Sequence, residues 1–314
     1  MSARRYTVAC LTGHGIGPEL MGEASRALAA VSRLHGFVVD DVHVPFGREA
    51  QLRSGQHLPL TTRNAYLSAD AVLVADGRDP ALRTVEGELD ARATLTQIQC
   101  APLGDLTLVT PLGEGADAWT VERAFALARS RRGRLTSVNA DGDWEQLVDA
   151  VGAHHDGILV EHLSVAVGLP ALAFERERFD VVVTGPLFAD SLTEVAASSV
   201  TGPTVVASGR LAGHGPGLFA PVLRDGNEIA GQGVANPCSM LLATALALGE
   251  GLGQRSAAET LVRAVAEALV RGRLTPDLVP IGMGATTRDF TDRVLRLLPE
   301  SMTNREFSRE ALAW

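Results

Sequence analysis

Lysine is missing from this chain: among its 314 residues, all 28 members of the Lys and Arg class are arginine. Any mechanism that needs a lysine amine, as Schiff-base former or as proton carrier, is thereby excluded. Tyrosine is scarce, with Tyr6 and Tyr66 only, and aromatic residues make up 4% of the chain. The three cysteines, Cys10, Cys100 and Cys238, are odd in number and widely spaced, a pattern of reduced core thiols and not of disulfides or a zinc motif. Apolar runs fall short of a membrane span. The opening residues Met1 to Val8 lack a signal-type apolar core, so a soluble, cytoplasmic protein is expected. Excess positive charge is also lacking. A net charge of −9 argues against a nucleic-acid partner, because phosphate binding is driven by clustered cations. The one basic cluster, Arg129 to Arg134, falls where a helix should end, and cations suit that end of the dipole.

What is present is an ordinary globular balance, 46% hydrophobic and 21% charged, in a chain long enough for two domains. Strand patterns at 7–12, 37–44, 71–75, 106–109, 135–138, 157–160 and 179–186 alternate with helix patterns at 20–34, 61–69, 119–132 and 143–153. Another helix leads up to Phe179, and Leu187 to Ser198 forms the next. Helices at 238–248 and 257–271, a strand-like 278–281 and a closing helix from Thr287 to about Leu298 complete the chain. Alternation of this kind with few hairpin signals is an α/β fold. No linker divides the chain, so two domains would have to be interleaved.

Four stretches carry chemistry. The turn Gly13 to Glu19 (G-H-G-I-G-P-E) joins a strand to a helix, but its G-x-G-x-G spacing misses the dinucleotide fingerprint. In F-D-V-V-V-T-G-P-L-F-A-D-S-L-T-E (179–194), a buried strand runs into a helix with Asp190 and Glu194 on one face. That pair suits either a divalent cation or the positive end of a helix. N-E-I-A-G-Q-G-V-A-N-P (227–237) combines an acid, two glycines and Asn-Pro ahead of an apolar helix, and reads as a helix cap or as a ligand loop. G-A-T-T-R-D-F-T-D-R-V (284–294) opens the last helix.

Taken in order, these segments resemble the isocitrate and isopropylmalate dehydrogenases, the metal-dependent decarboxylating dehydrogenases. Gly13 to Glu19 is similar to the family's G-D-G-I-G-P-E, and Ala220 to Pro237 to its adenosine-binding loop, without a gap. The resemblance implies an isopropylmalate-dehydrogenase-like α/β fold of interleaved domains. Residues 1–98 and 203–314 would form a large, nucleotide-side domain and 99–202 a small one that carries the metal helix and pairs two subunits. A small-molecule ligand would sit in the cleft between them, and the protein would be a homodimer. It further implies NAD contacts at Glu228, Ile229, Ala235 and Asn236, a Mg²⁺ site at Asp190 and Glu194, and a substrate arginine at Arg92 if one deletion is allowed nearby. On its own residues Arg92 also reads as a solvated arginine on a helix face.

The departures from the family are chemical. Its lysine beside the substrate hydroxyl falls at Ala140, its tyrosine has no counterpart beyond Tyr66, and two substrate arginines fall at Ala101 and Thr110. Ala166 stands where the partner's third metal aspartate belongs, His14 where the first loop has an aspartate, and Leu223 to Gly226 where the loop has H-G-S-A. His162 has no partner at metal spacing. The expectation is a divergent member, either remodelled for another small molecule with part of the NAD site kept, or a non-catalytic subunit. An active NAD-dependent decarboxylating 2-hydroxyacid dehydrogenase is the alternative.

Overall fold

The computed structural model describes residues 3–100, 104–113, 117–139, 142–197, 204–222, 226–279 and 284–299. The chain divides into two compact units, one built from residues 1–85 and 215–314, the other from 86–214. The breaks thus fall at 85/86 and 214/215, where the sequence suggested 98/99 and 202/203. The reason lies in strand pairing, since a cut at 98 would sever a strand whose ladder runs unbroken to residue 100.

The first unit begins with β1 (Arg5–Leu11), α1 (Gly17–His35), β2 (Val38–Val44), α2 (Gly47–Ser54), α3 (Leu60–Ser68) and β3 (Ala71–Val74). A short α4 (Leu82–Glu88) then crosses the division. Helix α1 starts with Pro18 in its first turn and stops at Gly36, whose φ of 75° is the left-handed geometry of a C-cap. Its apolar stripe Leu20, Ala24, Ala27, Leu28 and Val31 is fully buried.

The second unit runs through β4 (Ala91–Cys100), β5 (Gly104–Pro111), α5 (Ala118–Ser130), β6 (Arg134–Asn139) and α6 (Gly142–Gly152). It continues with β7 (Leu159–Ser164), α7 (Val165–Phe174), β8 (Val181–Thr184), α8 (Ala189–Ala197) and β9 (Thr204–Ala212). The chain then returns to the first unit with β10 (Gly217–Pro221), α9 (Cys238–Leu246), α10 (Arg255–Arg271) and α11 (Thr287–Leu297). A capping box between Thr286 and Asp289 fixes the start of α11.

Within the first unit the strand order is β2-β1-β3-β10, all parallel. Within the second it is β9-β4-β5-β8-β6-β7, with β4 antiparallel to both neighbours and the rest parallel. Such parallel strands bury both faces, which is why β8 reads as an unbroken Val-Val-Val. Val182 points to one face with Ile98, Leu108, Leu172 and Leu192, beneath α7 and α8. Val181 and Val183 point to the other with Phe125, Trp144 and Val148, beneath α5 and α6.

Several expectations need correction. The segment 77–104, to which the sequence patterns assign no element, holds α4 and β4, and α2, β9 and β10 are likewise absent from those patterns. Residues 278 and 279 form a bend and not a strand, while 280 and 281 lie outside the described residues. Arg129 to Arg134 is more than a cationic helix end. Arg131 Nε donates to Asp180 Oδ1 at 2.8 Å and its NH2 to Asp105 Oδ2 at 2.8 Å, and the Arg132 backbone N–H donates to Asp180 Oδ2 at 2.8 Å. Asp180 is 1% exposed. Removing one member of a buried ion pair strands the other, at a cost of about 3–5 kcal/mol. Asp180→Ala is therefore expected to lower unfolding stability by that amount in a urea titration. An exposed pair such as Arg5 with Asp40 should contribute under about 1 kcal/mol.

Candidate functional site

Ligands of parallel α/β sheets gather beyond the carboxyl ends of the strands. In the first unit those ends belong to β2, β1, β3 and β10, and the segments that follow them surround a cavity of about 640 Å³. Its walls are His14, Ile16 and Gly17 after β1, Ala75 to Pro80 after β3, Pro221, Gly226 and Asn227 after β10, and Arg48, Gln51, Leu52 and His57 from α2 and its sequel. The volume lies in the range of small-molecule and cofactor sites, roughly 300–1,000 Å³.

Glycine lets these turns approach one another. A Cβ on Gly15, at φ +64°, would lie 2.4 Å from Asn227 Oδ1, and one on Gly47, at φ +59°, would lie 1.9 Å from Asp79 Oδ2. Asp79 thereby reaches the start of α2, accepting from the Arg48 N–H at 2.9 Å, while its other oxygen accepts from the Ala81 N–H at 2.9 Å. The cavity wall is in this way fixed to the backbone on both sides of the Asp-Pro turn. Asp76 is different. Burial, helped by the like charge of Asp79, pushes its carboxyl above the ordinary range against the opposing pull of Arg78 and His14.

Behind the cavity a single carboxylate joins distant segments. Glu19 Oε1, in the first turn of α1, accepts from the Ala235 N–H at 3.1 Å and from the Thr287 hydroxyl, which also donates to the Ala235 carbonyl at 2.7 Å. Ala235 is fully buried, with both backbone polar groups engaged. The Asn236 amide nitrogen donates to Asp277 Oδ2 at 2.9 Å, and its oxygen caps α9 by accepting from the Cys238 N–H at 2.9 Å. Of the residues expected to touch NAD, only Glu228 and Ile229 present side chains to solvent without such a commitment. Glu228 is exposed in a short 3-10 turn over Asn227–Ile229, directly beside the cavity wall.

In the second unit Asp190 and Glu194 occupy one exposed face of α8, whose opposite face, Leu192 and Ala196, is buried in the core. Among the described residues no third His, Cys, Asp or Glu closes a metal-binding group with them. Two carboxylates alone can hold Mg²⁺ when water and a substrate fill the rest of its octahedron. Ala166, at the place of the third acid, is exposed on α7. Arg92 lies on strand β4 and not on a helix; it is 48% exposed and is 3.4 Å from Asp90. Thr110 is buried in β5. His162 pairs with Asp149 at 3.0 Å. Ala101, Ala140 and Leu223 to Asp225 fall outside the described residues.

No motif in the sequence marks Arg48, His57, Asp76 or Asp79. Asp76 to Pro80 (D-G-R-D-P) follows the strand at 71–75, and an acid pair at the end of a buried strand is a signal in its own right. A carboxyl held above its ordinary value weakens the fold once it ionises. Asp76→Asn is accordingly expected to raise the thermal midpoint at neutral pH. The gain should vanish as pH falls below the ordinary carboxyl value of 3.8, where both proteins carry a neutral side chain.

Comparison with known proteins agrees with this architecture. A family model described as isocitrate/isopropylmalate dehydrogenase matches residues 117–294. The 3-isopropylmalate dehydrogenase of Synechococcus sp. (strain CC9605) is 30% identical over 338 residues, covering 88% of this chain and 95% of that protein. The chloroplastic 3-isopropylmalate dehydrogenase 2 of Arabidopsis thaliana is 30% identical over 341 residues, covering 89% and 84%. Among solved structures, the apo β-decarboxylating dehydrogenase of Thermococcus kodakarensis superposes with a TM-score of 0.79 at 26% identity, covering 93% of this chain and 96% of that one. The isocitrate dehydrogenase of Methylococcus capsulatus shares the fold, with a TM-score of 0.76 at 22% identity over 94% and 100% of the two chains. A family model that spans more than half of the chain, with identity sustained along most of its length, shows that it belongs to the isocitrate/isopropylmalate dehydrogenase family.

Proposed function

We propose that this chain is a remodelled member of its family that binds a nucleotide, NAD by the chemistry of its loop, and does not oxidatively decarboxylate isopropylmalate, isocitrate or malate. The observation that carries the reading is a cavity of cofactor size beside the turn that presents Glu228, in a chain with no lysine at all. A carboxylate at this position accepts hydrogen bonds from the two ribose hydroxyls and repels a 2′-phosphate, which favours NAD over NADP. Arg48 lines the same cavity as a cation suited to a diphosphate. Asp190 and Glu194 suit a weakly held Mg²⁺ that would polarise a bound oxygen as a Lewis acid. Arg92, half-exposed near the start of β4, suits the carboxylate of an acidic ligand.

Against ordinary dehydrogenase turnover stand the absent proton carriers. Tyr6 and Tyr66 are both buried in the first unit, and Tyr6 receives a 2.6 Å hydrogen bond from Gln254. General acid and base groups each contribute about 10²–10⁴-fold in rate. Loss of both leaves little of the family's chemistry. NADH formation with isopropylmalate, isocitrate or malate and Mg²⁺ is expected to stay at background, and turnover at ordinary enzyme rates would overturn the proposal. Calorimetry should show saturable NAD binding that Glu228→Arg abolishes; silence towards NAD in the parent protein would leave a non-catalytic subunit as the better reading. The same reading carries a homodimer, and sedimentation that finds only single chains would contradict it.

A further inference from the structure

Outside the cavity, three chemically different metal ligands converge on the outer strand of the first unit. Strands β1 and β2 run parallel with Cys10 opposite His43, and Asp41, two residues before His43, faces the same side of the pleat. Helix α1 packs over that side and brings Ser25 to the group. His43 Nε2 lies 3.0 Å from Asp41 Oδ2 and 3.1 Å from Ser25 Oγ. The Cys10 sulfur joins them so that all three ligand atoms lie within 4.8 Å of one another. In a tetrahedral zinc site, bond lengths of about 2.0–2.3 Å place neighbouring ligand atoms roughly 3.5 Å apart. The carboxylate and imidazole, at 3.0 Å, lie slightly inside that spacing, and the sulfur, within 4.8 Å of both, has at most about 1.3 Å to close.

We infer that Cys10, Asp41 and His43 form a binding site for a borderline-soft divalent metal ion, Zn²⁺ by ligand type, with water or the Ser25 hydroxyl in the fourth position. Thiolate and imidazole select zinc over Mg²⁺ or Ca²⁺, which prefer oxygen alone. The half-exposed carboxylate and imidazole, with side-chain exposures of 36% and 45%, give the ion its way in, while the buried sulfur closes the inner side. Binding replaces the sulfur-bound proton, which leaves to solvent, by a metal–sulfur bond.

Burial and the neighbouring Asp41 charge push the Cys10 thiol up to about 12, so the metal-free sulfur holds its proton. For Asp41 burial works upward, but hydrogen bonds from Ser25 and His43 bring the carboxyl below its ordinary value and keep it charged. A divalent ion placed among them would offset both the burial and the Asp41 charge that keep the thiol protonated.

Cobalt(II), added to the metal-stripped protein, tests this without reference to any activity, because only a thiolate ligand produces a sulfur-to-cobalt charge-transfer band in the near ultraviolet. One equivalent is expected to develop that band, and zinc to abolish it. Cys10→Ser and His43→Ala should each lose it, whereas Cys238→Ser and the double variant Asp190→Asn with Glu194→Gln should keep it. His43 is exposed, so its replacement leaves the core intact and decides the matter even where Cys10→Ser does not fold. A parent protein without the band, or a His43→Ala variant with undiminished cobalt affinity, would overturn the inference.

Discussion

The hydrogen bonds received by the Glu19 carboxylate hold together what the sequence scatters. Glu19 belongs to the first glycine turn, Ala235 to the loop that ends in Asn-Pro, and Thr287 to the opening of the last helix. Three of the four segments that carry the family resemblance therefore meet at one oxygen atom. A hydrogen bond to a charged group contributes about 1.5–3 kcal/mol, and a buried donor left unmade costs a similar amount. This contact ties the starts of α1, α9 and α11 together where α1 packs on both other helices.

That arrangement changes how the resemblance should be understood. Much of the match in the loop 227–237 is structural: Ala235 spends its N–H and carbonyl on Glu19 and Thr287, and Asn236 spends its amide on Asp277 and on capping α9. Residues of this kind persist as long as the fold does, whatever the site has become. Among the described residues the Glu228 carboxylate has no comparable framework partner, and the adjoining cavity takes its charge from Arg48, Arg78, Asp76 and Asp79, which lie outside the four segments that carry the resemblance.

The elements legible in the sequence were those with one strong period. Val181 to Thr184, the apolar stripe of α1 and the closing helix from Thr287 could each be read from their own residues. Helix α2 could not, because it is short, mostly polar and exposed, and packs chiefly through Ala50. Strand β4 hid for a different reason: it is buried on both faces, yet Thr96, Gln97 and Gln99 fill polar interior places, so neither alternation nor an apolar run marks it. The acid pair on α8 was visible because one helix carries both members. The cavity and the Cys10 cluster were invisible because each gathers residues from separate strands and turns, whose pairing only the fold decides.

The way β4 and β9 pair sets the order in which this chain can fold. They run side by side from Ala91 opposite Ala212 to Cys100 opposite Thr204, so the second unit begins and ends on adjacent strands and is made of one continuous stretch of chain, residues 86–214. The first unit has the opposite character, since the bond from Thr287 to Glu19 spans 268 residues. On a ribosome that adds about 5–20 residues each second, β1, β2 and β3 emerge long before β10, α9 and α11. The apolar face of the opening strands must wait, uncovered, while the inserted unit is made and folds. The late-arriving C-terminal third makes this a protein whose unfinished form, more than its finished one, needs protection from aggregation.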